Sequence, residues 1–159
     1  MTVQRVWTLF DRSQLYECYE CSRCSGSCPV ALSFKGLGPR KILLKCLQQG
    51  QEAVIEDPLL WYCTTCQVCE DRCPQRIPIP ELLTGLKNMA SRKGNLPEKI
   101  RFSVEKIAKT GRSVLAFRVE RERERYGLPP LPEVNTEEIS RILAETGFFR
   151  DLAAIDKKP

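Results

Sequence analysis

The chain has 159 residues, 42% hydrophobic and 28% charged, with 25 Lys+Arg against 20 Asp+Glu for a formal charge of +5. That suits one ordinary domain with an added arm, and no apolar run approaches the ~18 residues of a membrane span. Nine cysteines and no histidine exclude imidazole acid–base chemistry and any histidine-held metal. No charged-then-apolar leader opens the chain, so thiol-rich chemistry is expected in a reducing cytoplasm, and an anaerobic setting is suggested.

Residues 1–17 include Val3, Val6, Trp7, Leu9, Phe10, Leu15 and Tyr16, an apolar lead-in expected to close over the stretch that follows. That stretch is Cys18-x2-Cys21-x2-Cys24-x3-Cys28-Pro29, and it returns as Cys63-x2-Cys66-x2-Cys69-x3-Cys73-Pro74. Both copies have the bacterial ferredoxin spacing for [4Fe–4S] clusters. Three cysteines two residues apart let a tight loop present three thiolates to one small body. The fourth, three residues on, points away and ligates the other cluster in two-cluster proteins. The spacing therefore assigns Cys18, Cys21, Cys24 and Cys73 to cluster 1, and Cys63, Cys66, Cys69 and Cys28 to cluster 2. Pro29 and Pro74 fix φ and lack an N–H, which turns the chain just after each crossing ligand. Structural zinc wants two separated cysteine pairs and leaves half of these thiols without a use. A disulfide framework belongs to short secreted domains. Ser22, Ser25 and Ser27 in the first loop suit either sulfur hydrogen bonding or simple turn formation.

Beyond Pro29, Gly36-Leu-Gly38 lacks the third glycine and preceding strand of a nucleotide fingerprint. Pro39 is placed to open a helix to about Gln49, with Gly50 as its stop. Ile42, Leu43, Cys46 and Leu47 form its apolar stripe, so the ninth cysteine, Cys46, is expected to be a small buried hydrophobe. A helical turn around Asp57-Pro58-Leu59-Leu60 delivers Trp61 and Tyr62, expected to shield the second cluster. Thr64 and Thr65 are candidate donors to sulfur.

Pro80-Glu81 opens a helix to about Lys93, with Ile79, Leu82, Leu83, Leu86 and Met89 on one face and Gly94 at its end. A further helix runs from Pro97 to Gly111 with Ile100, Val104 and Ile107 on one face. Residues 112–126 begin apolar and become Glu120-Arg-Glu-Arg-Glu-Arg125, an exposed charged helix with i,i+3 and i,i+4 pairs such as Glu122/Arg125. Leu128-Pro-Pro-Leu-Pro132 reads as a stiff linker. Asn135 then caps a helix with Glu138 three residues on, and Gly147 ends it. Phe148, Phe149, Leu152 and Ile155 make an apolar tail. Residues 87–125 hold twelve Lys/Arg against five Glu. This is expected to be a solvated face or a dock for an acidic partner. The rival reading is a cluster-bearing nucleic-acid sensor, but no recognised nucleic-acid motif accompanies the charge and no nucleic-acid partner is expected.

The expected fold is mostly α: a helical ferredoxin-like domain with two clusters over residues 1–95, then a C-terminal helical arm, 96–159, for docking a partner. The frame pair, the helix between the frames and Tyr62-Cys-Thr-Thr-Cys66…Cys69…Arg72-Cys-Pro74 resemble the C subunit of heterodisulfide reductases. Arg125-Tyr-Gly-Leu-Pro-Pro-Leu-Pro132 with its capped helix is similar to that family's C-terminal part, so the likeness covers most of the chain. The cysteine frames alone also occur in iron–sulfur components of quinone- and dicarboxylate-linked dehydrogenases, which is the alternative circuit. The resemblance implies two [4Fe–4S] clusters lying between a flavin-bearing A-type partner and a catalytic B-type partner rich in Cys-Cys motifs. It implies single-electron relay to a disulfide-reducing site. No catalytic residue is expected in this chain, which has neither an adjacent Cys-Cys pair nor a glycine-rich flavin or nicotinamide loop.

Overall fold

The computed structural model describes residues 11–34, 38–113 and 116–156, which are mostly helical and include no strand. Most of the apolar lead-in, Val3 to Phe10, and Gly36-Leu37 lie outside the described residues. The chain divides into two compact units, Met1–Asn95 and Leu96–Pro159. Among the described residues no helix is long and apolar enough to cross a membrane.

In the first unit α1, Ser13–Tyr16, is one turn that buries Leu15 completely. The first cysteine frame contains α2, Arg23–Gly26, and leads into α3, Pro29–Ser33, with Pro29 at its start. The longer α4, Pro39–Gln49, also begins on a proline and ends at Gly50, whose φ of 86° would strain any residue with a Cβ. The chain then restarts as α5, Gln51–Ile55, where sequence alone shows only the stop. The 3-10 turn Pro58–Tyr62 is capped by Asp57, whose carboxylate accepts from the Leu59 N–H at 3.0 Å. The second frame contains α6, Val68–Asp71, and α7 follows as Ile79–Arg92.

Packing explains why these pieces hold together. Leu82, Leu83, Leu86, Met89 and Ala90 of α7 meet Leu43 and Cys46 of α4, with Val54 and Ile55 of α5, in one buried cluster. Each large aliphatic side chain so buried contributes about 1.5–3 kcal/mol. Four frame cysteines, Cys18, Cys24, Cys63 and Cys73, border that cluster, and Cys69 lies within it. Polar ties are few and specific. Lys45 is paired with Asp57 at 2.5 Å, Lys87 on α7 donates to the Cys63 carbonyl at 2.7 Å, and Asn95 donates to the Ile55 carbonyl at 2.5 Å. Lys87 opens the basic segment expected to be solvated, yet it fastens α7 to the second cysteine loop.

The second unit comprises α8, Glu98–Thr110, α9, Ala116–Arg125, α10, Thr136–Glu145, and α11, Phe148–Asp156. Gly111 ends α8 at φ 65°, and a Cβ there would lie 2.7 Å from Ile139 Cδ1 and still nearer Val134 Cγ1. Asn135 Oδ1 accepts from the Glu138 N–H at 3.1 Å, the capping bond its sequence position anticipates. The proline stretch is tied down: Arg123 Nε donates to the Pro129 carbonyl at 2.8 Å, and Arg112 donates to that of Pro132. On α9, Glu122 and Arg125 stand 3.7 Å apart, both largely exposed, a pair worth little in water. The apolar tail is itself the helix α11.

Candidate functional site

The two cysteine loops share one backbone plan. Counting from the first cysteine of each, the third and fifth positions have positive φ: Glu20 at 59° and Ser22 at 61° in the first loop, Thr65 at 55° and Gln67 at 63° in the second. None is glycine, and each such conformation costs about 1–2 kcal/mol. Alternating left- and right-handed residues curl a chain so that successive N–H groups face one concavity, a form common at iron–sulfur and phosphate sites. Strain repeated at matched places in two loops of different sequence shows that both frames fold to one backbone shape.

Each concavity is closed by thiols from both frames. Cys18, Cys21 and Cys24 share one cavity with Cys73. Cys63, Cys66 and Cys69 share the other with Cys28. The free space is about 380 Å³ in the first and about 480 Å³ in the second, counting solvent at the mouths. Among the described residues no three His, Cys, Asp or Glu side chains converge as for a single metal ion. Four thiols line each cavity. Cys21 and Cys66, the second cysteine of each frame, are exposed; the remaining six are half-buried or, for Cys69, buried.

The crossing cysteines owe their positions to the helices behind them. Cys28 precedes α3, and Cys73 follows α6 with its sulfur accepting from the Ile77 N–H at 3.4 Å. Arg76, with φ 51°, makes the turn that brings that N–H back. Ile77 is almost wholly buried, so no water substitutes for the bond.

Electrostatics separate the buried thiols from the open ones. Burial pushes the Cys69 thiol up to about 11, with Cys63 and then Cys24 adding to the effect against opposing backbone hydrogen bonds. Burial also raises Cys24, partly offset by hydrogen bonds from Ser25. Such thiols keep their protons at neutral pH until a metal displaces them, so loading releases protons. Cys24 and Cys69 belong to different sets, and the helices that carry them, α2 and α6, pack against each other, which puts the two sites side by side.

Ser25 Oγ accepts from the Arg40 N–H at 3.2 Å, and hydrogen bonding from Ser25 works against the burial that raises the Cys24 thiol. Gly38 permits this approach, since a Cβ there would lie 2.8 Å from Ser25 Oγ. Thr65 spends its hydroxyl on the Thr64 carbonyl at 2.7 Å, so it is not a sulfur donor. The expected aromatic shield is also corrected. Tyr62 is 47% exposed and stacks edge-on with Phe34 at 5.2 Å, and Trp61 packs on the core. The second cavity is walled instead by Val30, Pro39, Ile42, Pro80 and Leu83, aliphatic residues supplied by α3, α4 and α7. Cys46 is fully buried on α4 away from both cavities, and burial pushes its thiol up to about 11. Arg40 borders the first cavity, a placement that no sequence signal announces.

A family model described as a 4Fe-4S dicluster domain matches residues 14–77. The C subunit of the ferredoxin:CoB-CoM heterodisulfide reductase of Methanosarcina mazei is 36% identical over 144 residues, covering 86% of this chain and 88% of that protein. The C subunit of the ferredoxin/F420H2-dependent CoB-CoM heterodisulfide reductase of Methanosarcina acetivorans is 38% identical over 120 residues, 75% of this chain and 73% of the relative. The C 2 iron-sulfur subunit of the CoB–CoM heterodisulfide reductase of Methanocaldococcus jannaschii is 33% identical over 143 residues, 86% and 76% of the two chains. The matched domain carries two [4Fe–4S] clusters, and two rings of four thiols on loops of one backbone shape fit two such groups.

Proposed function

Because this chain belongs to the C-subunit family of heterodisulfide reductases, as an iron–sulfur electron-transfer component, we propose that it relays single electrons between a flavin-bearing partner and a disulfide-reducing partner rich in Cys-Cys motifs. Cys18, Cys21, Cys24 and Cys73 hold one [4Fe–4S] cluster, and Cys63, Cys66, Cys69 and Cys28 hold the other. When bound, each cluster accepts and returns one electron, chemistry that no side chain of this protein performs. The chain's own residues fix, insulate and connect. Backbone hydrogen bonds to the Cys73, Cys24 and Cys69 sulfurs favour their anionic state. Val30, Ile42 and Leu83 keep water from the inner faces. Cys21 and Cys66 are the exposed corners through which partners on either side make contact.

The observation that carries this reading is the adjacency of the two thiol rings, each drawn from both frames and brought together where α2, with Cys24, packs on α6, with Cys69. The C-terminal unit, from Leu96 onward, serves as the docking element.

Anaerobic native purification, with partners identified by mass, tests the proposal. Recovery with a flavoprotein and a Cys-Cys-rich protein is the expected result. Recovery with a quinone- or dicarboxylate-linked dehydrogenase would keep the two-cluster wire and reassign its circuit. Isolation alone or on nucleic acid would remove the relay reading.

A further inference from the structure

The two thiol rings are not equivalent. The Cys28/Cys63/Cys66/Cys69 cavity is lined by no charged side chain among the described residues, Lys87 beside it being spent on the Cys63 carbonyl, whereas the Cys18/Cys21/Cys24/Cys73 cavity is lined by Arg40 and Glu20. Arg40 is held from three sides: its own N–H donates to Ser25 Oγ, its Nη2 is paired with the Glu20 carboxylate, and its place on α4 follows Pro39. Its Nε is sealed from solvent and has no acceptor in the protein. A buried N–H on a cation left without an acceptor carries the full cost of its lost hydration, so such groups are almost always satisfied by something. At the matching place in the second half, one residue after the proline in the first turn of α7, stands Glu81, exposed and of opposite charge.

We infer that Arg40 Nε–H donates to sulfur at the Cys18/Cys21/Cys24/Cys73 site and sets that site's reduction potential above its neighbour's. This rests on the ligand assignment proposed above. Reduction adds one electron to the site, breaks no bond and makes the site more negative. A hydrogen bond from a cation stabilises that form preferentially, and hydrogen bonds to cluster sulfurs are an established means of raising potential. Glu20 does not cancel the effect. Its side chain is 54% exposed against 29% for Arg40, so water screens the carboxylate while the sealed Nε acts unscreened. The Ile77 N–H on the Cys73 sulfur acts in the same sense and at the same site. An electron shared by the pair therefore resides on the Arg40 side, which gives the wire a resting end.

Trp61 Nε1 is also buried without an acceptor, but Trp61 borders neither cavity. It carries no comparable inference.

The test is an EPR-monitored redox titration of the anaerobically isolated holo-protein, using viologen mediators. Cys21→Ser and Cys73→Ser mark the signal of the first site. Arg40→Gln is expected to shift that signal alone to lower potential, with about a tenfold loss in reduced-to-oxidised ratio at fixed potential, ~59 mV for one electron. An unshifted signal, or a shift in the other one, overturns the inference. If Arg40→Gln takes up only one cluster, Arg40→Lys decides: it keeps the charge and loses the Nε–H. A downward shift supports the hydrogen bond, and an unmoved potential refutes it. Should Cys21→Ser and Cys73→Ser mark different signals, the ligand assignment itself fails, whatever Arg40 does.

Discussion

Removing thiols in pairs separates crossed ligation from the simpler alternative in which each frame holds its own cluster. In the crossed arrangement Cys24 and Cys73 serve one site, so the double variant Cys24→Ser/Cys73→Ser loses one cluster and keeps the other. Iron falls from about eight atoms per chain to about four. The double variant Cys28→Ser/Cys73→Ser strikes both sites and drives iron toward zero. With one cluster per frame the outcomes reverse in part: Cys24/Cys73 would empty the protein, and Cys24/Cys28 would leave half the iron. The structure also sets the relative severity of the two crossing positions. Cys73 accepts from the buried Ile77 N–H, and a shorter serine side chain leaves that donor poorly paired, a cost of about 1–3 kcal/mol. Cys28 receives no such bond among the described residues, so Cys73→Ser is the more destabilising single change. Iron and acid-labile sulfide per chain, with EPR of the dithionite-reduced protein, give the answer. An iron-free Cys24→Ser/Cys73→Ser protein that remains folded by circular dichroism would refute the crossed assignment.

Two other outcomes follow from the packing. Cys46 has a thiol raised to about 11 by burial, with Arg12 opposing and Glu52 reinforcing. Its neutral form is favoured in the fold, so its contribution to stability is fully present below the unfolded value near 9 and is lost as pH rises through about 11. Cys46→Val should flatten the alkaline decline in denaturation midpoint, and the native wild type should leave Cys46 unalkylated at pH 8 while the denatured chain reacts. Gly111→Ala forces a Cβ onto Ile139 and Val134 at a positive φ. Strain of about 1–2 kcal/mol plus overpacking of about 1–3 kcal/mol predicts a marked loss of stability in the C-terminal unit, read by limited proteolysis after Asn95.

Local signals placed most helices well. Pro39, Gly50, Gly111 and Asn135 act through their own backbone chemistry, so each marks a boundary wherever the rest of the chain lies. The frames announce two clusters because the spacing itself is the chemistry. What sequence does not disclose depends on distant partners. α5 forms because Val54 and Ile55 are buried against α7, not because its five residues favour a helix. Trp61 and Tyr62 stand beside Cys63 in sequence, yet the turn before them directs Tyr62 toward Phe34 and away from the thiols. Arg40 looks like any surface cation on an amphipathic helix. Only the approach of Gly38 to Ser25 places it against the first loop.

The exposure of Cys21 and Cys66 has a cost for a protein whose cargo is an electron. Tunnelling falls off steeply with distance, so a relay must bring a ligand corner to its surface, and the same opening lets dioxygen reach reduced iron. Six of the eight frame thiols are withdrawn from solvent and one on each loop is left at the mouth. A partner seated over either mouth shortens the electron's path and shuts out the oxidant in the same act. The protein is then most vulnerable while it waits, between assembly of its clusters and assembly of its complex.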